Sequence, residues 1–375
     1  MTEHRVHDVA IVGLGAMGSA TAFELSRRGL DVIGFDRFLP PHTFGSSHGD
    51  SRIIREAYFE HAVYVPMVQR AFELWRELEH LSGTALLAET GGLMIGAPAS
   101  VLVQGALNSA QMHGLQHSVL SADEIRARFP ALRPEPDMLG VWEPRAGVLA
   151  PEAGMTAYLA QARKRGAVLR FNEPVDRWQV SNGEVSLFTR LGRYRTRQLI
   201  LTAGPWIGSL LPWPTVPLQI ERQVLHWFEP VSDAEHFQSR RCPIHLWQFD
   251  GDRFFYGFPD SGAGVKVAFH HGGESTTAET VRREVAGSEV EDVRAAVRRF
   301  LPAADGRLRK SVVCLYTNMP DQHFLIDRLP EHPGVLVASP CSGHGYKFAP
   351  VIAEVLADLV AGSQTRFDLG LFRWR

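Results

Sequence analysis

The feature that most constrains this chain is Gly13-Leu14-Gly15-Ala16-Met17-Gly18, because the segments on either side of it are readable in their own right. Val9 to Val12 is an unbroken apolar run of strand length. Ser19 to Arg28 has helical character, with Ala22 and Leu25 three apart on one side and Arg27 and Arg28 turned to water. Gly29 stops that helix, and a second apolar strand, Asp31 to Phe35, ends at Asp36. The unit is a strand, a tight turn, a helix and a strand of a parallel sheet. In that setting Gly13 permits the turn, Gly15 lets the main chain approach a pyrophosphate, and Gly18 lets helix and strand pack closely, with the helix N-terminus facing the anion. Asp36 stands 23 residues after Gly13, where a carboxylate accepts both ribose hydroxyls. The segment predicts a dinucleotide-binding domain.

The rest of the composition narrows what surrounds it. At 375 residues the chain has room for two domains, one of them inserted in the other. A net charge of -2 supplies no field to hold nucleic acid or an anionic membrane surface. Cys242, Cys314 and Cys341 are too few and too scattered for a disulfide framework or a C-x-x-C metal site. No apolar run approaches the ~18 residues that span a bilayer, and no apolar leader precedes Val9, so a soluble cytoplasmic protein is expected. Only Lys164, Lys266, Lys310 and Lys347 are lysine; the other 35 basic residues are arginine. Arginine stays protonated, whereas lysine is a compact charge whose pKa moves readily, so each lysine draws notice.

Along the chain, helical periodicity runs over Tyr64–Leu81, and Ser121 with Glu124 opens a helix to Phe129 as a capping box. Alternation from Val175 to Leu201 predicts antiparallel strands that feed a final apolar strand. Between Val216 and Val313 the sequence becomes rich in Trp, Phe, His and short alternating strands, interrupted by a helix expected over Ala278–Phe300. A last helix is expected over Pro350–Val360. This gives an α/β fold: a discontinuous Rossmann-like domain over 1–85, 145–215 and 315–375, and a substrate domain with an antiparallel sheet over 86–144 and 216–314.

Several further segments carry chemistry. In Gly45-Ser46-Ser47-His48-Gly49-Asp50-Ser51-Arg52-Ile53-Ile54-Arg55, small residues let main chain come near a ligand, and Arg52 and Arg55 would project together from a helical turn. Lys266, Ala268 and His270 share one face of an alternating strand, opposite Val265, Val267 and Phe269. Cys314 lies inside an apolar strand, where a thiol is ordinarily inert. Ser342-Gly343-His344-Gly345-Tyr346-Lys347 places close-approach glycines and a lysine just ahead of a helix N-terminus, which directs positive potential at an anionic group.

Two patterns resemble FAD-binding rather than NAD-binding oxidoreductases: the spacing Gly18, Ala22, Leu25, Gly29, and Leu199-Ile200-Leu201-Thr202-Ala203-Gly204. With Ser47–Arg55, Tyr256-Gly257-Phe258-Pro259 and Lys266, Cys314-x-Tyr316-Thr317, and Ser342–Phe348, the whole chain resembles the monomeric sarcosine oxidases and N-methyltryptophan oxidases. The resemblance implies FAD bound covalently through Cys314, with Lys266 as the group that activates oxygen. It implies that Arg55 and Lys347 bind the substrate carboxylate, that Tyr256, His270 and Tyr316 line the amine side, and that His48 and Arg52 lie against the flavin. Gly204, Gly343 and Gly345 join Gly13, Gly15, Gly18, Asp36 and Lys347 as expected cofactor contacts.

The implied reaction oxidises a secondary amino acid to an imine, with dioxygen reduced to hydrogen peroxide, in a monomer that needs no metal. Ser47 and Cys341 depart from the family, which usually has a histidine and a phenylalanine there, so the pocket is expected to differ. Kept open are N-methyltryptophan, proline, pipecolate, glycine or a D-amino acid as substrate, and a non-catalytic flavoprotein subunit.

Overall fold

A computed structural model of the chain describes residues 5–211 and 217–374. Its first sheet has Val6–Val12 at the centre, running parallel to Val32–Phe35 on one side and to Gly192–Leu201 on the other. Val168–Arg170 extends it beyond Val32–Phe35, and His332–Ser339 lies parallel to the end of Gly192–Leu201. The first half of Gly192–Leu201 instead pairs antiparallel with Glu184–Thr189, as the alternating pattern predicts. Both faces of the central strand are covered: Val9 and Ile11 pack with Ala20 and Leu25 of the helix Ala16–Arg27, while Ala10 and Val12 pack with Leu187 and Leu199. That is why the strand reads as a continuous apolar run rather than an alternating one. Burying a side chain such as Leu25 contributes about 1.5–3 kcal/mol. Arg27 and Arg28 are not simply solvated: Arg27 bonds Glu24 and Glu77, and Arg28 bonds Glu24 and Asp358.

The second sheet has nine strands, ordered 274–276, 219–228, 265–270, 253–257, 244–249, 92–96, 139–143, 118–121, with Leu308–Asn318 paired to Gln219–Phe228. One face is packed by the helix Gly287–Phe300, whose Val293, Val297 and Phe300 meet Trp247, Phe255 and Val267. The other face carries Leu225, Trp227, Ala268 and Cys314 as a separate apolar cluster, together with Lys266 and His270.

The expected helix over Ala278–Phe300 is shorter than its sequence pattern. Arg222 is buried, and donates from Nε to the Arg282 carbonyl at 2.6 Å and from Nη2 to the Glu284 carbonyl at 2.8 Å. Those carbonyls are committed to a guanidinium, and the helix begins only where Glu289 accepts from the Ala286 amide at 2.8 Å. The boundary expected at 314/315 falls inside the strand Leu308–Asn318, which pairs with Gln219–Phe228 of the second sheet. The boundary expected at 215/216 falls outside the described residues. Among the described residues no helix is long and apolar enough to cross a membrane.

Candidate active site

A cavity of about 410 Å³ is lined by residues from both sheets. Its first end is built from the glycine turn. Gly13 has φ +96°, and a Cβ on it would lie 2.5 Å from the Thr202 carbonyl oxygen; a Cβ on Gly18 would lie 1.8 Å from the Gly13 oxygen. Neither position admits a side chain without separating the chains. Gly15 is different, because a Cβ there would meet only Ser47 Oγ, at 3.5 Å. The helix that follows has no side-chain cap of its own at Gly15, which leaves its N-terminal amides for an anion, apart from Ala16 N–H, which donates to Ser47 Oγ at 3.3 Å. Asp36 is nearly buried at the wall, accepting from Leu14 N–H (2.8 Å) on one oxygen and Phe38 N–H (2.9 Å) on the other. A carboxylate has acceptor sites beyond those two, so it can still take hydroxyl groups. The open position at Gly15, the uncapped helix end and the carboxylate fit a dinucleotide.

The other end is built from side chains. Cys314 Sγ lies 3.6 Å from Arg52 Nη2 and 3.6 Å from the Ser46 carbonyl. Arg52 also donates to the carbonyls of Ser46 (2.8 Å), His48 (2.6 Å) and Ser51 (2.8 Å), which locks its guanidinium beside the thiol. Arg55 is buried under Tyr58 and Phe59, with its guanidinium 4.3 and 4.7 Å from their ring centres, and Nη2 lies 2.7 Å from each oxygen of Glu60. Lys347 donates to the His344 carbonyl at 2.7 Å and reaches Tyr58 Oη at 3.4 Å. Burial, and then the nearby Arg55, bring its ammonium down to about 7. His270 Nδ1 lies 3.2 Å from Tyr316 Oη, and burial with neighbouring His271 holds His270 well below the usual histidine range. Burial pushes the Tyr256 phenol up to about 12, against the pull of Arg52.

The family model described as FAD dependent oxidoreductase matches residues 8–359. The chain belongs to this family. It is 42% identical over 370 residues to a monomeric sarcosine oxidase of Streptomyces avermitilis, covering 98% of this chain and 96% of that one. It is 34% identical over 369 residues to an N-methyl-L-tryptophan oxidase of Salmonella typhimurium, covering 98% of each. NikD, an unusual amino acid oxidase essential for nikkomycin biosynthesis, shares the fold, with a TM-score of 0.85 at 22% identity over 98% of this chain and 97% of that one. Glycine oxidase from Geobacillus kaustophilus does so with a TM-score of 0.82 at 20% identity, covering 98% of each. FAD is therefore the cofactor of this flavoenzyme, and the glycine turn of its first sheet fits a dinucleotide.

Arg52, Arg55, Tyr256, His270, Cys314, Tyr316 and Lys347 all line the cavity. Arg52 and Arg55 do not share a helical turn, because Arg52–Ile54 is a strand paired with Gly147–Leu149; Arg52 turns to Cys314 and Arg55 to Glu60. His48 is not among the lining residues. Its Nε2 meets the Val313 carbonyl at 3.0 Å, behind the wall, while Ser47 and Ser46 form the wall itself. Burial, then Arg52, bring His48 down to about 4, so it is neutral. Lys266 also stands back: Nζ donates to the carbonyls of Gly49 (2.7 Å) and Ser51 (2.8 Å) and to Ser51 Oγ (3.0 Å), and the lining residues here are Ser51 and Phe258. Burial takes Lys266 well below the usual lysine range.

The later glycines line the cavity, yet two are required by protein packing. A Cβ on Gly343 would lie 2.7 Å from both His270 and Tyr316, and one on Gly345 would lie 1.6 Å from the Pro340 oxygen. Gly204 has φ +53° and open space around its missing side chain. Sequence reasoning missed Glu60, Tyr58 and His344. Glu60 stands five residues after Arg55 and offered a weak signal; His344, whose Nδ1 is 2.7 Å from Tyr58 Oη, offered none beyond its place in the glycine loop.

Proposed function

We propose that this flavoenzyme is an oxidase of N-methyl or other secondary amino acids that produces hydrogen peroxide. The observation that carries the reading is the pairing of two buried cations, Arg55 and Lys347, with the aromatic and imidazole groups Tyr256, His270 and Tyr316 on the wall that also holds Cys314. A carboxylate leaving water needs paired cations to offset its desolvation. The substrate carboxylate would exchange with Glu60 on Arg55 and approach Lys347, whose ammonium is favoured once an anion is present. His270, kept neutral, has Nε2 available to take a proton from an ammonium substrate, since only the neutral amine is oxidised. Tyr316 and Tyr256 orient that imidazole and close the amine side.

FAD supplies the two-electron oxidation and passes the electrons to dioxygen. Arg52 supplies fixed positive charge on the wall that holds Cys314, and the ammonium of Lys266, held by the Gly49 and Ser51 carbonyls while burial lowers its proton affinity, adds charge when it is protonated; a dry, preorganised environment gives such charge its largest effect. Cys314 is the residue proposed to carry FAD covalently, in a monomeric and cytoplasmic enzyme. The names of the full-length sarcosine oxidase relatives support the monomer and the substrate class.

A peroxide assay across sarcosine, N-methyltryptophan, proline, pipecolate and primary amino acids tests the reading. Peroxide should form fastest with a secondary amino acid and slowly with amines that lack the carboxylate; a preference for primary amino acids would overturn it. For the covalent link, yellow colour should stay with acid-precipitated protein and leave with Cys314→Ser, and free flavin in the supernatant of the unsubstituted protein would exclude it.

A further inference from the structure

Directly behind His270 lies a polar cluster that the reaction described above does not use. His271 adopts φ +64°, a left-handed conformation that a non-glycine residue holds only where its surroundings over-determine it. Its Nδ1 lies 3.2 Å from Glu221 Oε2, an ion pair when His271 carries its proton. Glu221 is buried, and its carboxylate also accepts from Gly273 N–H (2.6 Å), Gln223 Nε2 (2.7 Å) and Asn318 Nδ2 (2.5 Å). Four donors on one carboxylate make a fixed anchor rather than a mobile surface acid. The anchor is tied to the site twice. Glu221 is the cross-strand partner of Tyr316, and the His271 ring sits 4.2 Å from the His270 ring and 5.4 Å from the Tyr316 ring, measured between centres.

We propose that Glu221 and His271 are a positioning pair for His270: the carboxylate holds His271 in its left-handed conformation, and His271 in turn fixes the His270 ring against Tyr316. This rests on the amine-side role given to His270 above. Two adjacent imidazoles resist being protonated together, and after burial itself His271 is the neighbour that most lowers the proton affinity of His270. His270 is thereby left as an acceptor toward the cavity, where an ammonium substrate has a proton to lose. The other groups facing His270 are Tyr316, Tyr256, Arg55, Glu60 and His344, none of which belongs to the pair.

The test uses the FAD-loaded enzyme and His271→Asn, since asparagine tolerates the left-handed conformation and can still donate to Glu221, but carries neither ring nor charge. The sign is fixed: His271 lowers the proton affinity of His270, so removing it raises that affinity. In H271N the acid limb of the pH profile for anaerobic flavin reduction should move up by at least about one pH unit. ¹⁵N-histidine NMR should show His270 held well below the usual histidine range in the unsubstituted enzyme and a higher titration midpoint for it in H271N. His271→Lys, which restores a charge opposite Glu221, should return the limb toward its original position. A superimposable profile in H271N, or a His270 that titrates near its ordinary value in the unsubstituted enzyme, overturns the proposal, and the second result needs no variant to fold. The NMR titration also needs no substrate, so it decides this inference even if no secondary amino acid reduces the flavin and the proposed function fails.

Discussion

At one end of the cavity the short glycine turn from Gly13 to Gly18 approaches as main chain; at the other stand side chains gathered from segments near Arg55, Tyr256, His270, Cys314 and Lys347. The first end works by close approach. Its requirements are steric, they act between neighbours in a single strand-turn-helix unit, and they leave glycine as the only residue that fits at Gly13 and Gly18. The second end works by charge and hydrogen bonding across both sheets, where each group is held by partners far away in sequence. A fold can therefore keep the first end and re-equip the second, which is consistent with relatives of this chain named for different amino acids.

The largest effect that can break this contrast is expected at Gly18. With a Cβ placed 1.8 Å from the Gly13 oxygen and 2.8 Å from Thr202 Oγ1, Gly18→Ala must push the helix off the strand. Flavin affinity should fall by at least ~10²-fold, read as a flavin-to-protein ratio near zero after purification. Normal flavin content in G18A would mean that the main-chain end is not the one that selects for the nucleotide. At the side-chain end, the largest effect is expected from Lys266→Met, which removes the charge while keeping approximate length. Reoxidation of reduced flavin by dioxygen should slow by at least ~10²-fold, with anaerobic reduction by the amine changed much less. Stopped-flow spectra of the two half-reactions check this, and equal slowing of both would reassign Lys266 to a structural role, since it satisfies the Gly49 and Ser51 carbonyls.

The same contrast explains what could be read from the sequence. The glycine turn and Asp36 were legible because a parallel strand-helix unit is written in consecutive residues. The shared face of Lys266, Ala268 and His270 was legible because strand alternation has period two, although which groups stood between Lys266 and the cavity was not. The three-residue spacing of Arg52 and Arg55 predicts a helical pair, but the strand that holds Arg52–Ile54 extended, Gly147–Leu149, is about a hundred residues away in sequence. The segment after Arg55 is held in the same long-range manner: Glu143 accepts from Glu56 N–H at 2.7 Å and Ala57 N–H at 2.5 Å. The resemblance implies His48 against the flavin, whereas its side chain stands behind Ser46 and Ser47; an extended loop does not announce which of its side chains faces inward. Resemblance supplied the roles of Cys314 and Lys347; periodicity alone would have left one as an inert thiol and the other as a lysine at a helix start.

A smaller effect sharpens the side-chain end. Removing either cation of the proposed clamp, by Arg55→Ala or Lys347→Ala, should weaken substrate binding by about 1.5–3 kcal/mol, roughly ten- to hundred-fold. The two cations should differ in their pH response. Lys347 is lowered to about 7 by burial and then by Arg55, so its charge is present below that pH and lost as pH rises through it. Substrate Kd, measured by anaerobic titration of the flavin spectrum, should therefore rise above about pH 7 in the unsubstituted enzyme. Lys347→Arg should flatten that rise, because a guanidinium stays protonated. A Kd that is flat in pH for both proteins would show that Lys347 does not meet the carboxylate.

The smallest effect is expected back at the main-chain end, at a glycine that looks like the others in sequence but differs in space. Gly204 follows the strand Gly192–Leu201 and lines the cavity, yet a Cβ on it would meet no heavy atom within 4 Å, in contrast to Gly13 and Gly18. What constrains the position is φ +53°, which alanine adopts at a cost of about 1–2 kcal/mol. Gly204→Ala should therefore lower stability by roughly that amount in urea denaturation, with flavin content unchanged. The two readouts separate the two uses of a glycine. A stability loss with full flavin content assigns Gly204 to backbone conformation alone. Loss of flavin from a protein of near-normal stability would instead mean that the FAD comes within contact distance of that missing side chain, and that the main-chain end of the cavity extends from the turn at Gly13 to Gly204.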